Sequence, residues 1–351
     1  MYNFLYACIS DTLPLYIYLA AVSLFAVILT VRDKNAAIKQ KRRIKERTLL
    51  IVSVLGGSVA MLITMLITHH KTKHLKFMVG IPVIIVLQVI IFIFALDTSL
   101  SVNHYTINTP KIDAPVKLAL VADLHSCDYG KGQKKLINAV LNERPDIIFL
   151  VGDIFDDDLP PDNTIEFIEG IAGKAPCYYV SGNHEFWSSK ADKFKDIILS
   201  YGIEVLEGTY ADIELKGQKI RICGIDDPAT NSYPSRAIRY ADQLRNLKEA
   251  ATTEAYTILL AHRPELIEEY LPLNMDLVLS AHAHGGQWRI PFVLEHGLFG
   301  PHQGWFPEYG NGVFLFDNTT MIISRGLAKE STPIPRIFNR PEIVIITLEP
   351  K

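Results

Sequence analysis

The stretch Val116-Lys117-Leu118-Ala119-Leu120-Val121-Ala122, followed at once by Asp123-Leu124-His125, decides the fold. A run this short and this apolar reads as a strand buried on both faces, the kind that sits inside a sheet covered by helices. The pattern then alternates. Lys131 to Asn142 has helical spacing, Asp146 to Val151 is the next strand, and Thr164 to Ala172 the next helix. Cys177 to Val180 is a strand and Lys190 to Ser200 a helix. Further strands are expected at Lys219 to Ile225, Thr257 to Leu260 and Leu277 to Leu279, with a helix at Ala237 to Leu247. Gly312 to Phe316, Met321 to Ser324 and Glu342 to Leu348 read as hairpin-like strands. Alternation first and hairpins later predict an α/β fold, a mixed sandwich rather than a uniformly parallel sheet.

Polar residues able to bind metals collect where these strands end. Asp123-x-His125 follows the first strand, and Gly152-Asp153-Ile154-Phe155-Asp156 follows the second. Gly182-Asn183-His184-Glu185 follows the third, His262 closes Thr257 to Leu260, and Ala281-His282-Ala283-His284 closes Leu277 to Leu279. Open α/β sheets bind ligands outside the carboxyl ends of their strands. Taken singly, each cluster has a bland explanation: a turn, a cap, a chance tripeptide. Their common placement in one unit does not. Carboxylates, imidazoles and a neutral amide form the ligand set of a two-metal hydrolytic site. The scattered cysteines Cys8, Cys127, Cys177 and Cys223 contain no C-x-x-C pair, so a cysteine-rich structural zinc site is excluded and free buried thiols are expected.

These five blocks, in order and spacing, resemble the calcineurin-like metallophosphoesterases over about Val116 to Leu348. The segment Gly285-Gly286-Gln287, with Gly300 to Pro307 and Ser324-Arg325-Gly326, is similar to a membrane-associated bacterial branch that includes enzymes resembling UDP-diacylglucosamine hydrolases. The resemblance implies a four-layer αββα sandwich and two divalent metal ions, of manganese, iron or zinc. It implies that Asp123, His125 and His284 hold the first metal, that Asn183, His262 and His282 hold the second, and that Asp153 bridges them. It makes His184 the acid beside the leaving oxygen, with Asp156 behind the ligands and Glu185 in the same group. Arg325 is a candidate phosphate contact through its guanidinium fork, and a surface salt bridge suits it equally. Physical chemistry favours the same assignment. A shared carboxylate lets two cations sit roughly 3.5–4 Å apart, and metal-bound water can ionise near pH 7. Where the family reads Gly-His-x-His, this chain has Ala281, an added methyl at the strand end.

Upstream the composition changes. Of the 351 residues, 49% are apolar and only 21% charged, and the excess lies in three uncharged stretches, Leu13 to Val31, Thr48 to Thr68 and Phe77 to Leu96. Each has the roughly 20 residues needed to cross a hydrocarbon core. Residues 1–97 are therefore expected to be a three-helix membrane domain, 98–115 a polar connector and 116–351 the phosphoesterase domain. No basic region precedes the first apolar run, so a cleaved signal peptide fits poorly. Asp33-Lys34 with Ala37, Arg43-Ile44-Lys45-Glu46, Gly56-Gly57-Ser58 and His70-Lys71-Thr72-Lys73 leading to Phe77 resemble a small uncharacterised family of bacterial membrane domains.

The net charge of −3 hides an asymmetry. Arg32 to Arg47 holds eight basic and two acidic residues, and His69 to Lys76 adds three lysines. Thr98 to Lys351 is acidic, with 24 basic against 34 acidic residues, which disfavours nucleic acid as a partner. The basic loops read as topology signals or contacts to membrane lipids. Positive-inside counting on three spans places the first loop and the domain after the third span in the cytoplasm, and the basic second loop pulls the other way. The expected function is hydrolysis of a phosphoester, a phosphodiester or a lipid-linked or cell-envelope ester. The alternative is a catalytically silent metal-binding scaffold or a regulator of a transport or lipid-binding unit, and no missing ligand supports it. The spans contain no ionisable residue, which argues against an ion path.

Overall fold

The computed structural model describes residues 2–233, 239–248, 250, 253–329 and 335–351, and side chains within the first helix from residue 16 onward. Cys8 and the beginning of the helix expected at Ala237 lie outside those described parts. The chain forms two compact units, Met1–Leu96 and Asp97–Lys351.

The first unit is helical: α1 (Tyr2–Ile38), α2 (Glu46–Val52), α3 (Ser58–Ile67), α4 (Leu75–Met78) and α5 (Gly80–Ala95). Three segments are long and apolar enough to cross a membrane, Tyr16–Ile38, Glu46–Ile67 and Leu75–Ala95. Ala26, Leu49, Met61, Met65, Phe77 and Ile81 pack inside the bundle. Leu24, Phe25, Ile63, Phe92, Ile93 and Phe94 face outward. Apolar side chains on the outside are what a helix in contact with lipid presents. Between α2 and α3 the helix is interrupted at Gly56, whose φ of 113° is open to glycine alone among common residues.

The second unit contains, in order, β1 (Ser101–Thr109), β2 (Val116–Val121), α6 (Lys134–Asn142), β3 (Ile147–Val151), α7 (Asp162–Ile171), β4 (Cys177–Val180), α8 (Asn183–Trp187), α9 (Ala191–Ser200), β5 (Glu204–Val205), β6 (Thr209–Leu215), β7 (Gln218–Gly224), α10 (Tyr240–Leu247), β8 (Tyr256–Leu260), α11 (Ile267–Tyr270) and β9 (Leu277–Ser280). A short ribbon, β10 (Phe299–Gly300) with β11 (Gly304–Trp305), precedes β12 (Gly312–Leu315), β13 (Thr320–Ile323) and β14 (Glu342–Pro350). One six-stranded sheet runs β1-β14-β2-β3-β4-β5, the other β12-β13-β9-β8-β7-β6.

Pleat alternation turns these sheets into four layers. Leu118, Leu120, Phe149 and Val151 of the first sheet meet Ile258, Leu260, Leu277 and Leu279 of the second in a shared core. Their sequence neighbours Ala119, Val121, Ile148 and Leu150 point outward against Leu136, Phe167 and Ile198 of α6, α7 and α9. On the far side, Leu259, Val278 and Met321 pack under Tyr240 and Leu247 of α10 and Tyr270 of α11. The αββα sandwich is therefore present in the contacts, helix layer to helix layer. Cys127, Cys177 and Cys223 are buried, and among the described residues none forms a disulfide.

Two local expectations fail. The stretch 98–115 holds strand β1, paired in parallel with β14 from Ser101↔Glu342 to Thr109↔Pro350. Its mixed composition suits an edge strand, where Tyr105 and Ile107 reach the core and their neighbours meet solvent, and that composition mimics a connector. The segment from Glu342 is no hairpin partner of β13. It crosses to the other sheet and lies between β1 and β2, antiparallel to β2. Pairing partners distant in sequence leave no local signature.

Phe149 is fully buried between the sheets. Phe149→Ala is expected to cost about 3–5 kcal/mol and to lower the thermal midpoint of the detergent-purified chain. An unchanged midpoint would contradict the packed inter-sheet layer.

Candidate metal centre

All five motif blocks leave their strands at the same edge of the sandwich, and the chain bends sharply there. Asp123, His125, Asp153, His282 and His284 all have φ between 47° and 61°. Left-handed backbone at a side chain other than glycine costs of order 1–3 kcal/mol and clusters at functional sites. Small residues make room for the bends. A Cβ on Gly182 would fall 2.2 Å from Asp153 Oδ1, one on Gly326 2.1 Å from Asp123 Oδ2, and one on Gly152 2.3 Å from His262 Nδ1.

Two groups of donor atoms converge, Asp123 with His125 and His284, and Asp153 with His262 and His282, each set lying within 4.8 Å. Asp153 touches both groups, 3.0 Å from His262 Nε2 and 3.7 Å from His125 Nε2. Inside this cluster Asp123 Oδ2, His125 Nε2 and His284 Nδ1 are buried and lack any hydrogen-bond partner, as does Oδ1 of Asn183, the residue before His184. Buried polar atoms are ordinarily satisfied, so three orphans in one group of donors fit a cation held there. Among the described residues, the Asp, His and Asn donors present are therefore a suitable set for divalent metals.

The orienting partners are equally defined. His262 Nδ1 donates to the Val151 carbonyl at 3.0 Å, which turns Nε2 toward Asp153 Oδ2, 3.0 Å away. His125 Nδ1 lies 2.9 Å from Asp156 Oδ2, freeing Nε2. Asp156 also accepts from the amides of Asp158 and Leu159. Glu185 is a brace. Its carboxylate accepts from the backbone of Gly182, Asp153, Ile154 and Phe155 at 2.8–3.1 Å, tying α8 to the β3 loop. His184 is less enclosed, with 20% of its side chain exposed, and Nδ1 lies 2.6 Å from Asp157 Oδ1.

Burial and charge set the protonation of the cluster. Burial pushes the Asp123 carboxyl up to about 6, and it does the same to Glu185, to about 7, with Asp153 adding repulsion in both. Burial opposes charge on His262 and His184, yet the neighbouring carboxylates prevail: Asp153 and Asp123 raise His262 to about 10, and Asp153, Asp157 and Asp156 raise His184 to about 9. His282 and His284 are held well below the usual imidazole range by burial and by neighbouring cations, so both are neutral donors.

Arg325 is not brought into the cluster. Its Nε donates to Glu342 Oε2 at 2.8 Å, and its guanidinium is held by that buried carboxylate. Glu342 begins β14, whose position beside β2 the sequence did not disclose. Several neighbours of the site were not foreseen: Asp157 on His184, His302 Nδ1 at 3.0 Å from His282 Nε2, and the buried pair Arg263–Asp227 at 2.5 Å. The acidic pair Asp226-Asp227 directly after β7 was the signal for the last, because it repeats the strand-end placement of the other blocks. Arg336 is buried and donates to the carbonyls of Ala328, Arg325 and Gly326, beneath Asp123.

Residues 116–286 match the family described as calcineurin-like phosphoesterase, and residues 23–77 match one described as a protein of unknown function, DUF1294. A zebrafish (Danio rerio) transmembrane protein with metallophosphoesterase domain is 28% identical over 246 residues, covering 67% of this chain and 53% of the relative. The chain thus spans about half the length of that relative. The Bacillus subtilis metallophosphoesterase YkuE is 27% identical, with 66% of this chain and 79% of the relative covered. A metallophosphoesterase of Aquifex aeolicus is 27% identical over 72% of this chain and 93% of its own. Among solved structures, a dimetal phosphatase from Danio rerio is similar with a TM-score of 0.40 and 15% identity, over 63% of this chain and 90% of that one.

Gly326 has φ 67° and no room for a side chain beside Asp123. Gly326→Ala is expected to lower the metal content of the purified chain by displacing Asp123, with the second unit still folded. Full metal content in that variant would contradict the placement of Asp123 in the centre.

Proposed function

We propose that the second unit, whose residues 116–286 match the family described as calcineurin-like phosphoesterase, is a dinuclear hydrolase acting on a phosphodiester or a lipid-linked or cell-envelope phosphoester. The observation that carries the reading is the pair of buried donor triads next to one another, with Asp123 Oδ2, His125 Nε2 and His284 Nδ1 left without partners. Asp123, His125 and His284 would hold one divalent cation, and Asn183, His262 and His282 the other, with Asp153 shared. Manganese, iron and zinc all suit these ligands. Bound there, such a pair supplies a water of lowered pKa and neutralises charge on the phosphoryl oxygens.

The rest is work for the chain's own groups. The Asp153 carboxylate lies between the two triads, and the backbone amide of His184 donates to its Oδ1 at 2.8 Å. The His184 ring lies beside His125 and Asp153, and Asp153 together with its partner Asp157 keeps it charged. A charged imidazole at the mouth can give a proton to the departing oxygen. The amide of Asn183 contributes a ligand without charge, so the site keeps a net attraction for an anionic substrate. Val151 and Asp156 fix the ring orientations of His262 and His125 before substrate arrives, so little reorganisation is needed. The helices of the first unit would anchor the enzyme as a multi-pass membrane protein, confining hydrolysis to phosphoesters that reach the bilayer surface.

The detergent-purified full chain is expected to hydrolyse bis(p-nitrophenyl) phosphate in manganese buffer. Asp153→Asn should fall to background, and His184→Ala should lose about 10²–10⁴-fold in kcat. Wild-type rates in both variants would overturn the proposal. A pH profile tests the role of Asp157. A raised imidazole pKa keeps the acid form present below about 9 and loses it as pH rises through that value. Asp157→Asn removes one of the carboxylates that raise it, so the alkaline limb should move to lower pH. An unmoved limb would assign that limb to another group.

A further inference from the structure

The two basic loops of the first unit lie at the same end of the bundle. Asp33, near the end of α1, is fully buried and accepts from the amide of Ile44 at 2.9 Å, and its Oδ2 lies 2.8 Å from His70 Nε2. Lys71 Nζ lies 3.6 Å from Asp33 and 3.3 Å from Glu46. Ile44 and Glu46 bracket the entry to the middle helical segment, and His70 and Lys71 follow its exit. A straight helix over Glu46–Ile67 would separate its ends by roughly 33 Å at 1.5 Å per residue. The four residues from Ile67 to Lys71 reach back at most about 14 Å. A straight span cannot form these contacts.

The segment turns back on itself at Gly56-Gly57. Ser53 Oγ reaches Met61 Sδ at 3.3 Å across the turn, and a Cβ on Gly57 would lie 2.8 Å from that of Ala26. Backbone groups released by such a break must find partners away from water. Here they do. Gln88 Nε2 donates to the carbonyls of Ser53 and Val54 at 3.0 and 2.9 Å, and Ser58 Oγ donates to Gln88 Oε1 at 2.6 Å. Tyr18 donates its hydroxyl to the Leu55 carbonyl at 2.8 Å. Gln88 lies 13 residues into Leu75–Ala95, roughly 20 Å from that helix's start, so the tip sits deep within the apolar layer.

We propose that Glu46–Ile67 is a re-entrant hairpin, that only Tyr16–Ile38 and Leu75–Ala95 cross the bilayer, and that the catalytic unit therefore lies outside the cytoplasm. With two crossings, both basic loops share one face. That face carries Arg32, Lys34, Lys39, Lys41, Arg42, Arg43, Lys45, Arg47, Lys71, Lys73 and Lys76. The sequence flanking the two crossing helices on their other side, residues 1–15 and 96–110, contains no lysine or arginine. So one-sided a distribution puts the loops in the cytoplasm. The conflict between the two basic loops that arises with three crossings disappears. The second unit continues the chain from the opposite end of the last helix. Resting on the phosphoesterase reading, the substrate class becomes a phosphoester presented on the extracytoplasmic side, as lipid-linked and envelope esters are.

Single cysteines test this in the full chain carrying Cys8→Ser, the remaining cysteines being buried. Lys39→Cys, Lys73→Cys and Ser99→Cys variants would be treated in spheroplasts with a membrane-impermeant maleimide, before and after permeabilisation. The expected pattern is Ser99→Cys labelled in intact spheroplasts, with Lys39→Cys and Lys73→Cys labelled only after permeabilisation. Labelling of Lys73→Cys but not Lys39→Cys in intact spheroplasts would overturn the hairpin. Labelling of both with Ser99→Cys protected would overturn the extracytoplasmic assignment. A second readout is independent of those variants. Intact spheroplasts making the unsubstituted chain should hydrolyse added bis(p-nitrophenyl) phosphate at a rate unchanged by permeabilisation, and a several-fold rise would overturn the assignment. If Ser99→Cys labels from outside while no hydrolysis occurs in either state, the topology stands and the phosphoesterase reading fails.

Discussion

The Asp153 carboxylate is buried among the imidazoles of His125, His184 and His262, and the rest of the second unit is arranged around keeping it there. A buried carboxylate is tolerated only when opposite charge compensates its lost hydration. His262 and His184 supply part of that compensation, and their charge holds Asp153 well below the usual carboxylate range despite burial. Cations at the two donor triads would supply the remainder. Protons and metals then compete for the same atoms, since His262 must lose its proton to become a ligand.

Geometry follows from that demand. To aim several side chains at one point, the loops after the strands adopt left-handed backbone at Asp123, His125, Asp153, His282 and His284, which is unfavourable for each. Two packed sheets make the strain sustainable. The shared core of leucine, isoleucine and phenylalanine fixes the strand ends, and Glu185 clamps four backbone amides at the junction of β3 and α8. Ala281, the departure from the family's glycine, is accommodated because its methyl faces the inter-sheet core.

Much of this was legible in the sequence because the candidate ligands occupy short motifs at strand ends, and buried parallel strands are short apolar runs. Asp123, His125, Asp153, His262, His282 and His284, singled out from those motifs, lie in two neighbouring groups of donors. What stayed hidden depends on pairing between distant segments. β1 looked like a connector because an edge strand is half polar, and β14 looked like part of a hairpin because nothing local marks a change of sheet. Of the two readings open for Arg325, a phosphate contact or a salt bridge, the structure shows an ion pair with Glu342, a partner carried in by β14. In the membrane unit the helix breaks at Gly56, Gly57 lies close against Ala26, and the caps on the break come from Tyr18 and Gln88, on helices far away in sequence.

A bridged pair of cations at Asp153 is the claim on which the catalytic account rests. Electron paramagnetic resonance of the purified chain, loaded stepwise with manganese, tests it most directly. The account predicts an exchange-coupled two-manganese signal that grows as loading passes one ion per chain and saturates at two. An isolated six-line manganese spectrum that persists to saturation, with no coupled signal at any loading, would contradict it.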